Sequence, residues 1–320
     1  MSYVLNASTR PPITLYLDSR FGNSIESDGN GNSLTTNYTY NLSEPINVEN
    51  NQNILLQLNS ATIPYSFYNI RTGVNDIVLF NYTTIGNKTY DYVILDNGNY
   101  TANTLAFSLK TKINAVLAEQ ASALNFNISI NYDRTLMSFY YKYTSSNPFI
   151  TDFNFDFTAT AREQSAYSSL NLEERTAENL IGCRSNGLIE VKTGVNSANA
   201  KGYIGSQVVD INDNIHGLYL RQNLSTKQTL DNSTGTLSNI LERIPITTNA
   251  GGVIFYNNEN GHKTMIDTNL IQTLGIRLTD DRHRSIDLNG LHFQISLVLS
   301  FIYKEPIRVE RNKFNRRIME

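Results

Sequence analysis

Residues 271–303 read IQTLGIRLTDDRHRSIDLNGLHFQISLVLSFIY. From Leu291 onward every odd position is apolar or aromatic: Leu291, Phe293, Ile295, Leu297, Leu299, Phe301 and Tyr303. The even positions begin polar with His292, Gln294 and Ser296, then become mixed. A period of two places one face in a core and the other outward, the pattern of a β-strand. Leu274, Ile276 and Leu278 alternate in the same way, and the TDDRHRSIDLNG stretch between the runs is rich in turn-forming residues. The reading is a strand, a loop and a long strand, paired antiparallel. At ~3.3 Å per residue the last strand would span ~40 Å. A strand of that length needs a large sheet beside it and a second sheet over its apolar face.

The remainder of the 320 residues supplies material for both sheets. Alternating runs begin at Ile13, Asn37 and Asn53, and resume at Gly217, Asn239 and Gly252. Between them lie strand-like runs at Val74–Tyr82, Tyr90–Leu95, Phe126–Tyr132, Leu136–Tyr143 and Phe153–Phe157. The same region holds one convincing helix, Ala102–Gln120, with Leu105, Leu109, Ile113, Val116 and Leu117 on one face and Thr101 placed to cap it. A short helix is expected within SSLNLEERTAENLIG.

Three strands before about residue 73 and five after about residue 207 make eight, the number in a jelly roll. The fold expected is mainly β, a single eight-stranded jelly-roll sandwich interrupted by an inserted α+β or mostly β domain. The alternative is two tandem β-sandwiches dividing near residues 160–190. The corresponding domains are an N-terminal arm at 1–12, the first part of the roll at 13–73, the insertion at 74–206, the second part at 207–303 and a basic tail at 304–320.

Composition narrows the function. The formal net charge of -3 argues against broad nucleic-acid binding by the whole molecule. Charged residues make up 17%, below the ~25% of ordinary soluble domains, and Asn, Ser and Thr take their place. Cys183 is the single cysteine, so no internal disulfide forms and packing must supply the stability. MSYVLNASTRPP lacks the apolar core of a signal peptide, and no apolar run approaches the ~18 residues of a membrane span.

No phosphate loop, dinucleotide fingerprint or nucleophile elbow is present, and His216, His262, His283 and His292 are scattered. Asp280, Asp281, His283 and Asp287 share one loop and are weighed as a cation site against turn formers. Cys183 is weighed as a nucleophile against a small buried hydrophobe. Tyr38, Tyr40, Tyr65, Tyr68, Tyr140, Tyr141 and Tyr143 are weighed as stacking platforms against core and interface residues. Lys304, Arg308, Arg311, Lys313, Arg316 and Arg317 make the tail locally positive and are candidate partner contacts, whether to nucleic acid or to an acidic neighbour. No catalytic constellation survives, so no enzyme activity, cofactor or metal is expected.

Six pieces, taken in order, carry a family resemblance: LYLDSRFGN (15–23), NILLQLNSATIPYSFYNI (53–70), DNGNYTANTLAFSLKTKIN (96–114), GLYLRQNLS (217–225), LSNILERIPI (237–246) and LGIRLTDDRHRSIDLNGLHFQISLVL (274–299). The chain resembles the penton and minor capsid proteins of virophages, polinton-like viruses and related large double-stranded DNA viruses. The resemblance implies a jelly-roll capsid component located in the virion and assembled inside the host cell. As a penton it would form a homopentamer at an icosahedral vertex, ringed by major capsid protein hexamers or pseudohexamers, with other minor capsid proteins as further partners. It also implies an inserted domain between the fourth-named and fifth-named strands of the roll, D and E, a layout that the count of three strands before the middle region and five after it fits, and no catalytic residues. The alternatives are another minor or cementing capsid protein, or a receptor- or carbohydrate-binding β-sandwich.

Overall fold

The computed structural model describes residues 10–26, 36–50, 52–120, 126–145, 150–170, 172, 175–184, 187–191, 203–204, 207–212, 215–224, 230–231, 236–259 and 261–303. The chain divides into two units, one of Met1–Ser66 with Gly217–Glu320 and one of Phe67–His216. The first unit begins with β1 (Ile13–Asp18), β2 (Asn23–Ser24), β3 (Asn37–Asn47) and β4 (Gln52–Pro64). The second holds β5 (Ile77–Thr84), β6 (Asn87–Ile94), α1 (Ala102–Gln120), β7 (Phe126–Asp133), β8 (Ser138–Ser145), β9 (Ile150–Asp156), α2 (Ala159–Arg162), β10 (Leu188–Val191) and β11 (Tyr203–Ile204). The first unit then resumes with β12 (Gly217–Gln222), β13 (Leu230–Asp231), β14 (Thr236–Leu237), β15 (Ile240–Pro245), β16 (Val253–Asn257), β17 (Thr264–Ile266), β18 (Leu270–Thr279) and β19 (Gln294–Tyr303).

Among the described residues the first unit is built on two large antiparallel sheets, with β13 and β14 paired as a separate two-stranded ribbon. One runs β1-β19-β4-β16, with β17 also on β4; the other runs β15-β12-β18-β3-β2. In the first sheet Ile295, Leu297, Leu299 and Phe301 of β19 point into the core with Leu17, Ile54, Leu56 and Leu58. Tyr38, Leu218, Leu220, Ile244, Ile276 and Leu278 are the buried set of the second sheet. The Tyr38 ring meets Phe293 edge-on at 5.8 Å, and β15 lies against β4, so the apolar faces cover one another. Each such side chain withdrawn from water contributes ~1.5–3 kcal/mol before ordering costs.

Strand β4 changes phase in mid-course. Ile54, Leu56 and Leu58 are buried, then Ala61 and Ile63. The pairing with β19 skips Asn59, because Leu297 faces Leu58 while Ser296 faces Ser60. This bulge absorbs the extra residue that would otherwise turn the second half of the strand inside out.

Two expectations for the decisive stretch are corrected. The strands at its ends do not pair with each other. β18 pairs with β12 and β3, whereas β19 pairs with β4 and β1, in the opposite sheet. Alternation identifies a strand and its buried face but leaves its partner open, and residues 280–293 are long enough to cross between sheets. The last strand also starts at Gln294, giving ten residues and a span of ~33 Å. Leu291 is half exposed, because Asn289 and Gly290 adopt positive φ (51° and 78°) and Leu291 N donates to Leu288 O at 3.0 Å, closing a turn there.

The second unit has its own core. A sheet β10-β9-β5-β6 and a sheet β11-β8-β7 pool Phe80, Phe126, Phe139, Tyr141, Phe153 and Phe155 with the apolar face of α1. Phe80 and Phe153 stack at 5.5 Å, and Tyr141 lies 4.7 Å from Phe155. Helix α1 runs as the periodicity predicts, burying Leu105, Leu109, Ile113 and Leu117. Thr101 Oγ1 accepts from Thr104 N at 3.3 Å while Thr104 Oγ1 accepts from Thr101 N at 2.9 Å, a reciprocal cap. Asn114 fixes α1 to β7 by accepting from Ile128 N at 2.7 Å and donating to Ile128 O at 3.0 Å. The short helix expected within SSLNLEERTAENLIG reduces, among the described residues, to a 3₁₀ turn at Asn179–Ile181 that ends on Gly182 with φ 73°.

Candidate functional site

The loop that carries Asp280, Asp281, His283 and Asp287 is organised around one carboxylate. Asp280 is buried and accepts from Arg282 N, Arg284 N and Arg284 Nε at 2.9, 2.9 and 2.8 Å. Its own N–H donates to Arg284 O at 2.9 Å. Asp287 Oδ1 accepts from Asn289 N at 2.8 Å, an Asx turn. His283, with φ 66°, turns its Nδ1 to the guanidinium of Arg221, which also reaches Thr279 Oγ1 at 3.1 Å and Asn239 Oδ1 at 3.1 Å. Asp280 and Asp287 thus act as turn formers and acceptors for the loop's own N–H groups. Among the described residues no cluster of three or more His, Cys, Asp or Glu is placed to hold a metal ion.

Cys183 is buried in the core of the second unit, where burial pushes its thiol up to about 12. A thiol held protonated is a poor nucleophile. Tyr38, Tyr65, Tyr141 and Tyr143 are buried, whereas Tyr40, Tyr68 and Tyr140 are half-buried. Tyr141 donates to Ile181 O at 2.5 Å, and its burial raises its pKa. The basic residues Lys304, Arg308, Arg311, Lys313, Arg316 and Arg317 lie outside the described residues, as does the arm from Met1 to Thr9.

The surfaces offered to partners in the first unit follow from its strand edges. Among the described residues β1 pairs with β19 on one side and with no strand on the other, and β2 pairs with Tyr38 and Thr39 of β3. Between β1 and β3 lies a groove of about 560 Å³ lined by the half-buried Ile13, Leu15, Tyr40 and Leu42. Arg10 closes one end by donating to Asn47 O at 2.6 Å with its guanidinium 3.9 Å over the Phe301 ring. The other face of β1 carries Tyr16, which is 82% exposed. Tyr16 alternates with Leu15 and Leu17 in the sequence, and that even position is the signal that turns it outward, although it was not among the tyrosines weighed as stacking platforms.

No protein-family model matches this chain, and no curated protein matches it. Among solved structures the chain is similar to the crystal structure of the mavirus penton protein, at 10% sequence identity and a TM-score of 0.49, over 92% of this chain and 100% of that one. That protein is a virophage penton. No helix among the described residues is long and apolar enough to cross a membrane.

Proposed function

We propose that this chain is a structural capsid protein, the penton that forms a homopentamer at the icosahedral vertices of a double-stranded DNA virus. The observation that carries the reading is the strand order. Taking β1, β3, β4, β12, β15, β16 with β17, β18 and β19 as eight successive strands, one sheet runs first-eighth-third-sixth and the other second-seventh-fourth-fifth. That is the order of a jelly roll made of two Greek keys. The second unit enters between β4 and β12, after three strands of the roll and before five, which supports the insertion between strands D and E that the resemblance to virophage pentons implies. A break at residues 66/67 and 216/217, rather than near 160–190, favours one interrupted roll over two tandem sandwiches.

Physical chemistry fits the role. The roll hides its apolar faces between two sheets and leaves edges and loops for neighbours. Five copies related by rotation make heterologous contacts that close into a ring. The groove beside β1 and the basic tail are the segments we assign to contacts with neighbouring copies, major capsid protein hexamers or other minor capsid proteins. The reading requires no catalytic group and places the chain in the virion shell.

The test is the mass and shape of the purified full chain, together with its position in assembled particles. A species five times 36.1 kDa with ring-shaped images, and density for the chain at five-fold vertices, supports the reading. A stable trimer, or density away from the vertices, replaces it with another minor capsid role.

A further inference from the structure

The outward face of the β1-β19-β4-β16 sheet carries two rows of side chains in register. One row is Asp18, Gln294, Thr62 and Phe255; the next is Tyr16, Ser296, Ser60 and Asn257. The two central strands contribute only hydroxyls and an amide, and the edge strands contribute exposed rings: Tyr16 on β1, and Phe255, which is 70% exposed, on β16. With strands ~4.8 Å apart and the two rings one row out of step along the strands, they stand ~16 Å from each other across a polar floor. A depression of about 270 Å³ lies beside Tyr16, lined by Asp18, Ser60, Thr62, Gln294 and Ser296.

The floor is preorganised. Gln294 Nε2 donates to Asp18 Oδ2 at 2.7 Å, Ser60 and Ser296 hydroxyls meet at 2.8 Å, and Asn59, the bulged residue, donates to Ser296 Oγ at 3.1 Å. Hydrogen bonds from the Arg20 side chain hold the Asp18 carboxyl well below the usual carboxylate range, so it stays ionised and keeps the Gln294 amide in place. Arg20 reaches that carboxylate through Nε at 3.0 Å and Nη2 at 2.5 Å, which cancels its charge.

We propose that this face is a binding site for a neutral saccharide, with Tyr16 as the stacking platform and the Gln294, Ser60 and Thr62 side chains as partners for sugar hydroxyls. A pyranose has an apolar C–H face and a rim of hydroxyls, so it needs an exposed ring set beside fixed donors and acceptors. The floor supplies both kinds, the Gln294 amide oxygen accepting and the Ser60 and Thr62 hydroxyls accepting or donating. The ion pair leaves no net charge to attract phosphates or sulfates. Strand addition by a peptide uses a sheet edge rather than a sheet face. A second copy of the chain would bury an apolar core at the middle of the contact, whereas here the rings lie at the edges and the middle is hydroxyl-rich, so contact between copies is an outcome of the test. The proposal stands apart from the capsid reading, and its test reads a different quantity.

The full chain is screened against a panel of neutral oligosaccharides of glucose, galactose, mannose, fucose and N-acetylglucosamine, with sialylated and sulfated oligosaccharides as the charged arm. Binding of a neutral hit is then titrated with the wild type and with Tyr16→Ala, Tyr16→Phe, Gln294→Ala and Phe107→Ala. Phe107 is another largely exposed ring, in the second unit. The proposal expects Tyr16→Ala and Gln294→Ala each to weaken binding ~tenfold or more, with Tyr16→Phe and Phe107→Ala close to wild type. Unchanged melting temperatures would separate these losses from misfolding. Four results overturn it: no neutral binding at ~10 mM ligand, preference for the charged arm, a neutral hit indifferent to Tyr16→Ala, or loss of self-association in Tyr16→Ala without saccharide binding, which would make the face a contact between copies.

Discussion

The carboxylate of Asp76, fully buried, receives both arms of the Arg175 guanidinium, Nε at 2.7 Å and Nη2 at 2.8 Å, across 99 residues of sequence. The pair ties the segment before β5 to the segment after α2, and Ala177 N donates to Ile77 O at 2.8 Å beside it. Removing one partner strands a buried charge. Asp76→Ala or Arg175→Ala is expected to cost about 3–5 kcal/mol, read from urea denaturation of the full chain. Arg175→Lys should recover little, because an ammonium cannot make the two-pronged contact.

Alkaline pH should destabilise the second unit. Burial pushes the Cys183 thiol up to about 12 and raises the Tyr141 phenol. Below pH ~9 the thiol is protonated in both the folded and unfolded chain, and its contribution is fully present. Between pH 9 and 12 the unfolded chain loses the proton first, so stability falls as pH rises through that window. Cys183→Ala should flatten part of this slope in melting curves taken from pH 8 to 11. In the native chain at pH 8 the thiol should resist an aromatic disulfide reagent, and react once urea unfolds the protein.

The loop between β18 and β19 depends on Asp280. Asp280→Ala leaves Arg282 N, Arg284 N and Arg284 Nε without their acceptor and is expected to cost about 2–4 kcal/mol. Asp287→Ala, which removes one Asx-turn bond, should cost about 1 kcal/mol or less. Because Asp280 serves N–H groups of its own loop, adding calcium or a chelator should leave the wild-type melting temperature unchanged.

Strand β19 supplies the core of the first unit. Leu297→Ala is expected to cost about 2–5 kcal/mol and Phe301→Ala about 3–5 kcal/mol in the same denaturation experiment. Ile302→Ala, on the outward side of the same strand, should cost far less. That contrast checks the face assignment directly.

What was legible in the amino-acid order was local. The spacing of Leu105, Leu109 and Ile113 marks α1, and Thr101 marks its start, because a helix is written in contacts three and four residues apart. The odd-numbered apolar residues from Phe293 to Phe301 mark a buried strand face for the same reason at period two. The turn chemistry around Asp280 and Asp287 was also readable, since Asx turns close on the next few residues. Partnership is different. That β19 lies between β1 and β4, nearly the whole chain away from one of them, and that β18 leaves it for the opposite sheet, depends on which apolar faces cover each other. The bulge at Asn59, the buried Asp76–Arg175 pair and the row joining Tyr16 to Ser296 and Ser60 arise only when distant strands are set in register. Each side chain carries its own chemistry, but its neighbours are chosen by the burial of the whole sheet, and only the tertiary structure decided them.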